Sequence, residues 1–243
     1  MKQPGITAVV TGAGLGTRMG AAPNKMLIEI DGSRVLYRTL LSLKEADVFD
    51  AFVVVVSEAI YEPVYNEVLP AVFGKNLSHV TICMGGTTRQ DSVKSGLEHL
   101  PSGTEFVAVH DGARPFVTPE VVRRCADRLR KGDVDGVICV VPVKDTIKVL
   151  ADDGSICHTP NRAQLFAAQT PQMFRREILM NAYEKAIWEE IPITDDAQMV
   201  EIFGGHVVTV PGDEVNIKIT TPGDLFFGER ILQERMETGN QKV

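Results

Sequence analysis

Short apolar runs of strand length recur along this 243-residue chain, each separated from the next by an amphipathic stretch of helix length, and few folds accept that rhythm. Ile6–Val10, Phe52–Val56, Val80–Cys83, Phe106–Val109, Val137–Val141 and Val207–Val210 read as buried strands. Helices are predicted over Arg34–Lys44, Pro63–Phe73, Ser92–Leu100, Pro119–Arg130, Arg175–Trp188, Asp195–Phe203 and from Thr221 or Pro222 to about Met236. Thr118 stands as N-cap before Pro119, the favoured pairing at a helix start. Alternation of this kind implies an α/β fold, Rossmann-like, with a mostly parallel sheet flanked by helices.

After Val141 the rhythm breaks. Thr146–Leu150 and Ser155–Thr159 flank Asp153-Gly154, a hairpin turn signal, so an inserted β-arm is predicted at about 144–162. A hairpin this short is marginal alone, which implies that it packs on something, and a second subunit is the expected support. No repeat or linker divides the rest, so residues 1–243 read as one domain plus the arm, with a polar, frayed end at Glu237–Val243.

Charge narrows the partners. Lys and Arg number 25 against 32 Asp and Glu, a net charge of −7, so the chain has no basic field for nucleic acid and must bind any anion locally. No run approaches the roughly 20 apolar residues of a membrane span, and Met1–Val10 is too short for a signal core before Gly12. A cytoplasmic protein without membrane contact is expected. Cys83, Cys125, Cys139 and Cys157 are scattered, with no metal-ligand spacing, and read as reduced, buried thiols.

Three loops carry the chemistry. The first follows the first strand: Thr11-Gly12-Ala13-Gly14-Leu15-Gly16-Thr17-Arg18-Met19-Gly20, then Lys25. Glycines let backbone amides approach phosphate oxygens, and Arg18 and Lys25 supply charge where a triphosphate would lie. A loop at the carboxyl end of a parallel strand is also where open α/β sheets bind ligands. The dinucleotide fingerprint fails, because Thr17 or Met19 stands where its third glycine belongs, and no Gly-Lys-Ser/Thr of a P-loop occurs. The second loop is Gly85-Gly86-Thr87-Thr88-Arg89-Gln90-Asp91-Ser92, whose amides and hydroxyls could read a base or ribose. The third is His110-Asp111-Gly112-Ala113-Arg114-Pro115. There Asp111 could hold Mg²⁺ against phosphates, and Arg114 could clamp a second anionic substrate or form an internal salt bridge with Asp111. The basic run Arg123, Arg124, Arg128, Arg130 and Lys131 reads instead as the solvated face of a helix whose Val121, Val122 and Leu129 point inward.

In order along the chain stand Gly14-x-Gly16-x-Arg18-Met19 with Lys25, Gly85-Gly86-x-x-Arg89-x-Asp91-Ser92, His110-Asp111-x-Ala113-Arg114-Pro115 and Pro142-Val143-x-Asp145-Thr146. Gln169-Thr170-Pro171-Gln172, Thr194-Asp195-Asp196 and Asn216-Ile217-Lys218-Ile219-Thr220-Thr221-Pro222 follow. Together these motifs resemble the 2-C-methyl-D-erythritol 4-phosphate cytidylyltransferases of the non-mevalonate isoprenoid pathway. The resemblance implies transfer of a cytidylyl group from CTP to 2-C-methyl-D-erythritol 4-phosphate with release of pyrophosphate, Mg²⁺ as cofactor, and a homodimer whose β-arms embrace. It implies that Arg18, Lys25 and Lys218 are catalytic. Gly12, Ala13, Gly14, Gly86, Thr87, Ser92, Asp111 and Gly112 would contact the nucleotide, with Asp111 also beside the metal. Arg114, Thr146, Arg162, Thr170 and Thr194 would surround the methylerythritol phosphate, Arg162 and the arm coming from the partner subunit. The alternatives are a cytidylyltransferase for another polyol phosphate, such as D-ribitol 5-phosphate, and a non-catalytic nucleotide-binding regulator.

Overall fold

A computed structural model describes residues 5–14, 24–188, 193–237 and 239. In chain order the elements are β1 (Ile6–Gly12), β2 (Glu29–Ile30), β3 (Ser33–Arg34), α1 (Val35–Glu45), β4 (Ala51–Val56), α2 (Glu58–Pro63), a π-helical turn (Val64–Val68), α3 (Leu69–Phe73), β5 (Val80–Met84), α4 (Arg89–Glu98), β6 (Phe106–Asp111) and α5 (Pro119–Arg130). There follow β7 (Gly136–Pro142), β8 (Val149–Leu150), β9 (Ile156–His158), β10 (Phe166–Arg175), α6 (Arg176–Trp188), α7 (Asp196–Ile202), β11 (Val207–Pro211) and α8 (Pro222–Glu237).

Seven strands form one sheet in the order β11-β7-β10-β6-β1-β4-β5. All neighbours in it are parallel except β10, which runs antiparallel to both β6 and β7. The two sheet faces are covered by different helices. Ala8, Val10, Val54, Val56 and Ala108 pack under α1, α3 and α5, while Val9, Val53, Val55, Val107 and Val109 pack under α4, α6 and α7. This alternation along each strand is the period of two that sends successive side chains to opposite faces, and burial on both is why the strands read as continuous apolar runs.

Four differences from the sequence reading have physical causes. Strand β10 was not predicted, because Gln169, Thr170 and Gln172 interrupt its apolar pattern and Pro171 lacks an N–H for the ladder. The register shifts between Ala168 and Gln172, where the Thr170–Pro171 peptide is cis. The segment predicted to start a helix at Pro63 is helical from Glu58, and Pro63 sits inside it with a π-helical turn directly after, where the proline has no N–H to donate. Helix α4 starts at Arg89, not Ser92, because Thr88 and Asp91 form a capping box. Cys157, expected buried, is exposed, since it lies on the β8–β9 hairpin, which no layer covers.

The predicted arm is that hairpin, turning at Gly154 (φ +81°), with strands shorter than expected. Ile147, Val149, Leu150 and Ile156 on it are exposed. A second short hairpin, β2–β3, turns through Asp31 and Gly32, both at positive φ, as a type I′ turn requires. It packs with Phe116, Ile219 and α8 in a satellite cluster. Among the described residues no helix is long and apolar enough to cross a membrane.

Candidate active site

Because β5, β4, β1 and β6 are parallel neighbours, Met84, Val56, Gly12 and Asp111 end at one edge of the sheet. A cavity of about 520 Å³ opens there. Thr11 at the end of β1 and Ala13 and Gly14 after it line one side, Gly85 to Arg89 with Ser92 another, and Asp111, Ala113 and Lys218 a third. Lys25, Met26, Ser57 and Glu58 complete it. A larger cavity of about 1120 Å³, between α1, α5 and α8, shares none of these residues and holds none of the motif residues, which gather at the smaller one. Three cations, Lys25, Arg89 and Lys218, and two carboxylates, Glu58 and Asp111, line the smaller cavity, a locally positive site in an acidic chain.

Close backbone approach shapes the wall where the first two loops meet. Gly85 donates its N–H to Val56 O at 2.8 Å, and a Cβ at Gly85 would stand 2.3 Å from the Ala13 Cβ. A Cβ at Gly86 would stand 2.2 Å from that of Asp91. The two loops therefore meet only because position 85 is glycine, while a glycine at position 86 lets the second loop fold against the start of its own helix. Thr88 accepts from Asp91 N at 3.0 Å while Asp91 Oδ2 accepts from Thr88 N at 3.0 Å, and Ser92 Oγ donates to Thr88 O at 2.9 Å. Lys25 rides on a turn held by Asn24, which accepts from Met26 N at 3.1 Å and from Leu27 N at 2.8 Å.

Asp111 is the electrostatic centre. Its side chain is only 9% exposed, with Lys218 Nζ at 2.9 Å, Arg114 Nε at 3.3 Å and Arg89 Nε at 3.5 Å. Burial pushes its carboxyl pKa up, but Lys218, Arg89 and Arg114 outweigh burial and hold it well below the usual carboxylate range. Arg89 also bonds Asp196 Oδ2 at 2.6 Å, and the Tyr183 hydroxyl donates to Asp196 Oδ1 at 2.5 Å. Burial lowers the Arg89 pKa, yet Asp196 and Asp111 more than offset this and raise it. His110, fully buried on the preceding residue, is pushed down to about 4, mainly by burial, and so is neutral at physiological pH.

Behind this centre lies a polar lattice from the unpredicted strand. Asp111 N donates to Thr170 Oγ1 at 3.0 Å. Gln169 Nε2 donates to Asp213 O at 2.8 Å, and Asn216 Nδ2 donates to Thr170 O at 3.0 Å. Arg114 Nη1 donates to Asn216 O at 2.7 Å. Arg114 therefore stands in the internal bridge with Asp111 and does not line the cavity.

Residues 6–234 match the sequence profile of the 2-C-methyl-D-erythritol 4-phosphate cytidylyltransferase family. The chain belongs to that family. A curated 2-C-methyl-D-erythritol 4-phosphate cytidylyltransferase of Thermosynechococcus vestitus is 42% identical over 229 residues, covering 94% of this chain and 96% of its own. One from Microcystis aeruginosa is 41% identical, covering 94% and 99%. Among solved structures, the 4-diphosphocytidyl-2C-methyl-D-erythritol synthase of Anaerococcus prevotii superposes with a TM-score of 0.83 at 34% identity, covering 94% and 96%. The 2-C-methyl-D-erythritol 4-phosphate cytidylyltransferase of Thermus thermophilus superposes with a TM-score of 0.76 at 27% identity, covering 94% and 99%.

Of the residues singled out from the sequence of this cytidylyltransferase-family chain, Ala13, Gly14, Lys25, Gly86, Thr87, Ser92, Asp111 and Lys218 line the cavity. Gly12 and Gly112 lie behind it, packed on Met26. Thr170 is buried in the lattice, and Thr194 donates its N–H and hydroxyl to Gln198 Oε1, both at 2.8 Å. Thr146 and Arg162 are exposed on the arm, with Arg162 Nη1 donating to Lys144 O at 2.9 Å. Arg18 lies outside the described residues. Sequence reasoning quoted Arg89 and Asp196 within motifs but gave them no role; only their meeting across 107 positions exposes one.

Proposed function

We propose that this chain transfers the cytidylyl group of CTP to 2-C-methyl-D-erythritol 4-phosphate, giving 4-diphosphocytidyl-2-C-methyl-D-erythritol and pyrophosphate. Membership of the family carries the reading, and the family match does not favour a ribitol phosphate substrate or a silent regulator. The observation in the molecule that supports it most is the cationic cavity at the strand ends, bounded by two glycine loops and by Asp111 with Lys218.

The acceptor is already an anionic phosphate monoester, so no side chain need be activated as nucleophile. Its oxygen attacks the α-phosphorus of CTP in line with the departing pyrophosphate, and no covalent enzyme intermediate forms. The protein positions and neutralises. Lys25 and Arg18 would face the triphosphate beside the Ala13-Gly14 amides, while the Gly85–Ser92 loop would hold the base and ribose. Lys218, oriented by Asp111, would face the oxygens on which charge develops. One well-aimed donor of this kind is worth about 3–4 kcal/mol in the transition state.

Mg²⁺ fits the donor set in one way. Among the described residues no three His, Cys, Asp or Glu side chains gather into a cage, but Mg²⁺ usually takes one or two carboxylates and completes its shell with phosphates and water. Asp111 would be that carboxylate, with Oδ1 the less engaged oxygen, 3.5 Å from Arg89. When bound, the ion would add charge stabilisation on the phosphates.

The arm supports a homodimer. Its exposed Ile147, Val149, Leu150 and Ile156 form an apolar surface a monomer would leave in water, and Thr146 and Arg162 would reach the partner's acceptor site from it. The expected setting is the cytoplasm. Pyrophosphate release, measured with CTP and Mg²⁺ plus methylerythritol phosphate, ribitol 5-phosphate or no acceptor, tests the reading. Release with the first alone is expected; release only with the second would move the assignment, and none with either would remove catalysis.

A further inference from the structure

Among the described residues the Asp111 carboxylate and N–H meet four polar side chains, and three of these are tied to one residue outside the cavity. Lys218 lies two positions after Asn216. Arg114, whose Nε is 3.3 Å from Asp111, donates its Nη1 to the Asn216 carbonyl at 2.7 Å. Thr170, whose hydroxyl accepts from Asp111 N, has its own carbonyl held by Asn216 Nδ2 at 3.0 Å. Only Arg89 reaches Asp111 from elsewhere, through Asp196.

Asn216 is wholly buried, and its remaining contacts extend the same junction. Its Nδ2 is 3.4 Å from Gln169 Oε1, its carbonyl accepts from Gln169 Nε2 at 3.4 Å, and its N–H donates to Asp213 O at 3.0 Å. Asn216 Oδ1 has no hydrogen-bond partner among the described residues. An unpaired buried acceptor is destabilising, so packing alone would be served better by an apolar side chain of this size. The donor half of the amide is what the position uses. On the far side of Lys218, Ile219 N donates to Ala113 O at 2.8 Å, so the lysine is strung between two anchors, one of them Asn216.

We propose that Asn216 is a positioning residue for the transfer reaction, setting Lys218 against Asp111 so that the ammonium meets the reacting phosphates. The proposal rests on the reading of Lys218 and Asp111 given above. It acts on turnover and not on nucleotide capture, because the loops that would hold CTP are anchored on β1 and β5, away from Asn216.

The test is a double-mutant cycle on the full-length protein, with pyrophosphate release from CTP and methylerythritol phosphate as readout. Asn216→Ala should lower kcat at least about 30-fold per folded molecule with KM for CTP within threefold, and Asn216→Asp, which keeps the shape but removes the Nδ2 donor, should behave alike. If Asn216 works through Lys218, the pair Asn216→Ala/Lys218→Ala should lie within about threefold of Lys218→Ala alone. A disturbance of the site that does not act through Lys218 would instead multiply with the Lys218→Ala loss. Multiplying losses, or a single-variant kcat within threefold of wild type, would overturn the proposal. Should Asn216→Ala not fold, the same cycle is read with the isosteric Asn216→Asp. Failure of the underlying reading shows separately, as near-normal turnover by Lys218→Ala with Asn216 intact.

Discussion

Gly85→Ala puts a number on how closely the two cavity loops meet. The added Cβ would lie 2.3 Å from the Ala13 Cβ, 2.8 Å from Ser92 Oγ and 3.2 Å from Val55 Cγ1. Carbon atoms sit comfortably at about 3.5–4.0 Å, so the Ala13 loop must retreat by more than about 1 Å. Overpacking of this kind costs about 1–3 kcal/mol, offset by about 0.4–1 kcal/mol from the stiffer unfolded chain. A net loss of about 1–2 kcal/mol corresponds to about 2–8 °C in Tm for a chain of this size, measurable by calorimetry. A displacement of about 1 Å in the loop proposed to hold the triphosphate should also raise KM for CTP at least about tenfold while leaving KM for the acceptor within threefold. The reasoning has a built-in control, since Ala13→Gly removes the atom in conflict. By itself Ala13→Gly should cost about 0.4–1 kcal/mol through the unfolded state, but the double variant should be more stable than the sum of the two losses by at least about 1 kcal/mol. Additive losses would show that the Ala13–Gly85 approach does not limit position 85.

Three other outcomes are expected. Lys25→Ala should lower kcat at least about 100-fold with an unchanged far-ultraviolet circular dichroism spectrum, and a change within threefold would remove Lys25 from the mechanism. His110, neutral in the fold down to about 4, ties stability to pH. Between pH 6.5 and 4 the unfolded chain takes up a proton the fold refuses, so this contribution is present above about 6.5 and lost as pH falls through that window. His110→Gln should flatten the decline of Tm with acidification there, and an identical slope would count against the assignment. Deleting Ile147–His158 should leave a folded, inactive monomer by analytical ultracentrifugation, while an active dimer after deletion would refute the arm's role.

Local pattern carries far in this protein because its strands are buried on both faces. Val53 to Val56 and Phe106 to Val109 are legible as strands from composition alone, and Thr118-Pro119 marks a helix start that the structure has, with Thr118 accepting from Val121 N. The two glycine loops were legible as neighbours of a strand end, and Ala13, Gly14, Lys25, Gly85 and Gly86 do line one cavity there. Strand β10 was not legible. Its Gln169, Thr170 and Gln172 have no local reason to be extended and buried; each is satisfied by a partner 23 to 59 positions away, at Asp195, Asp213, Asn216 or Asp111.

The α/β class, the strand ends at which the motif residues gather and the charged side chains available there follow from the order of residues along the chain. How those charges are shared is the work of tertiary packing. It turned Arg114 into a strut, joined Arg89 to Asp196 across the sheet edge, and gathered three of the partners of Asp111 onto Asn216. Strand period and loop composition are set by neighbours along the chain, whereas a buried ion pair or amide is set by whichever distant group completes its hydrogen bonds.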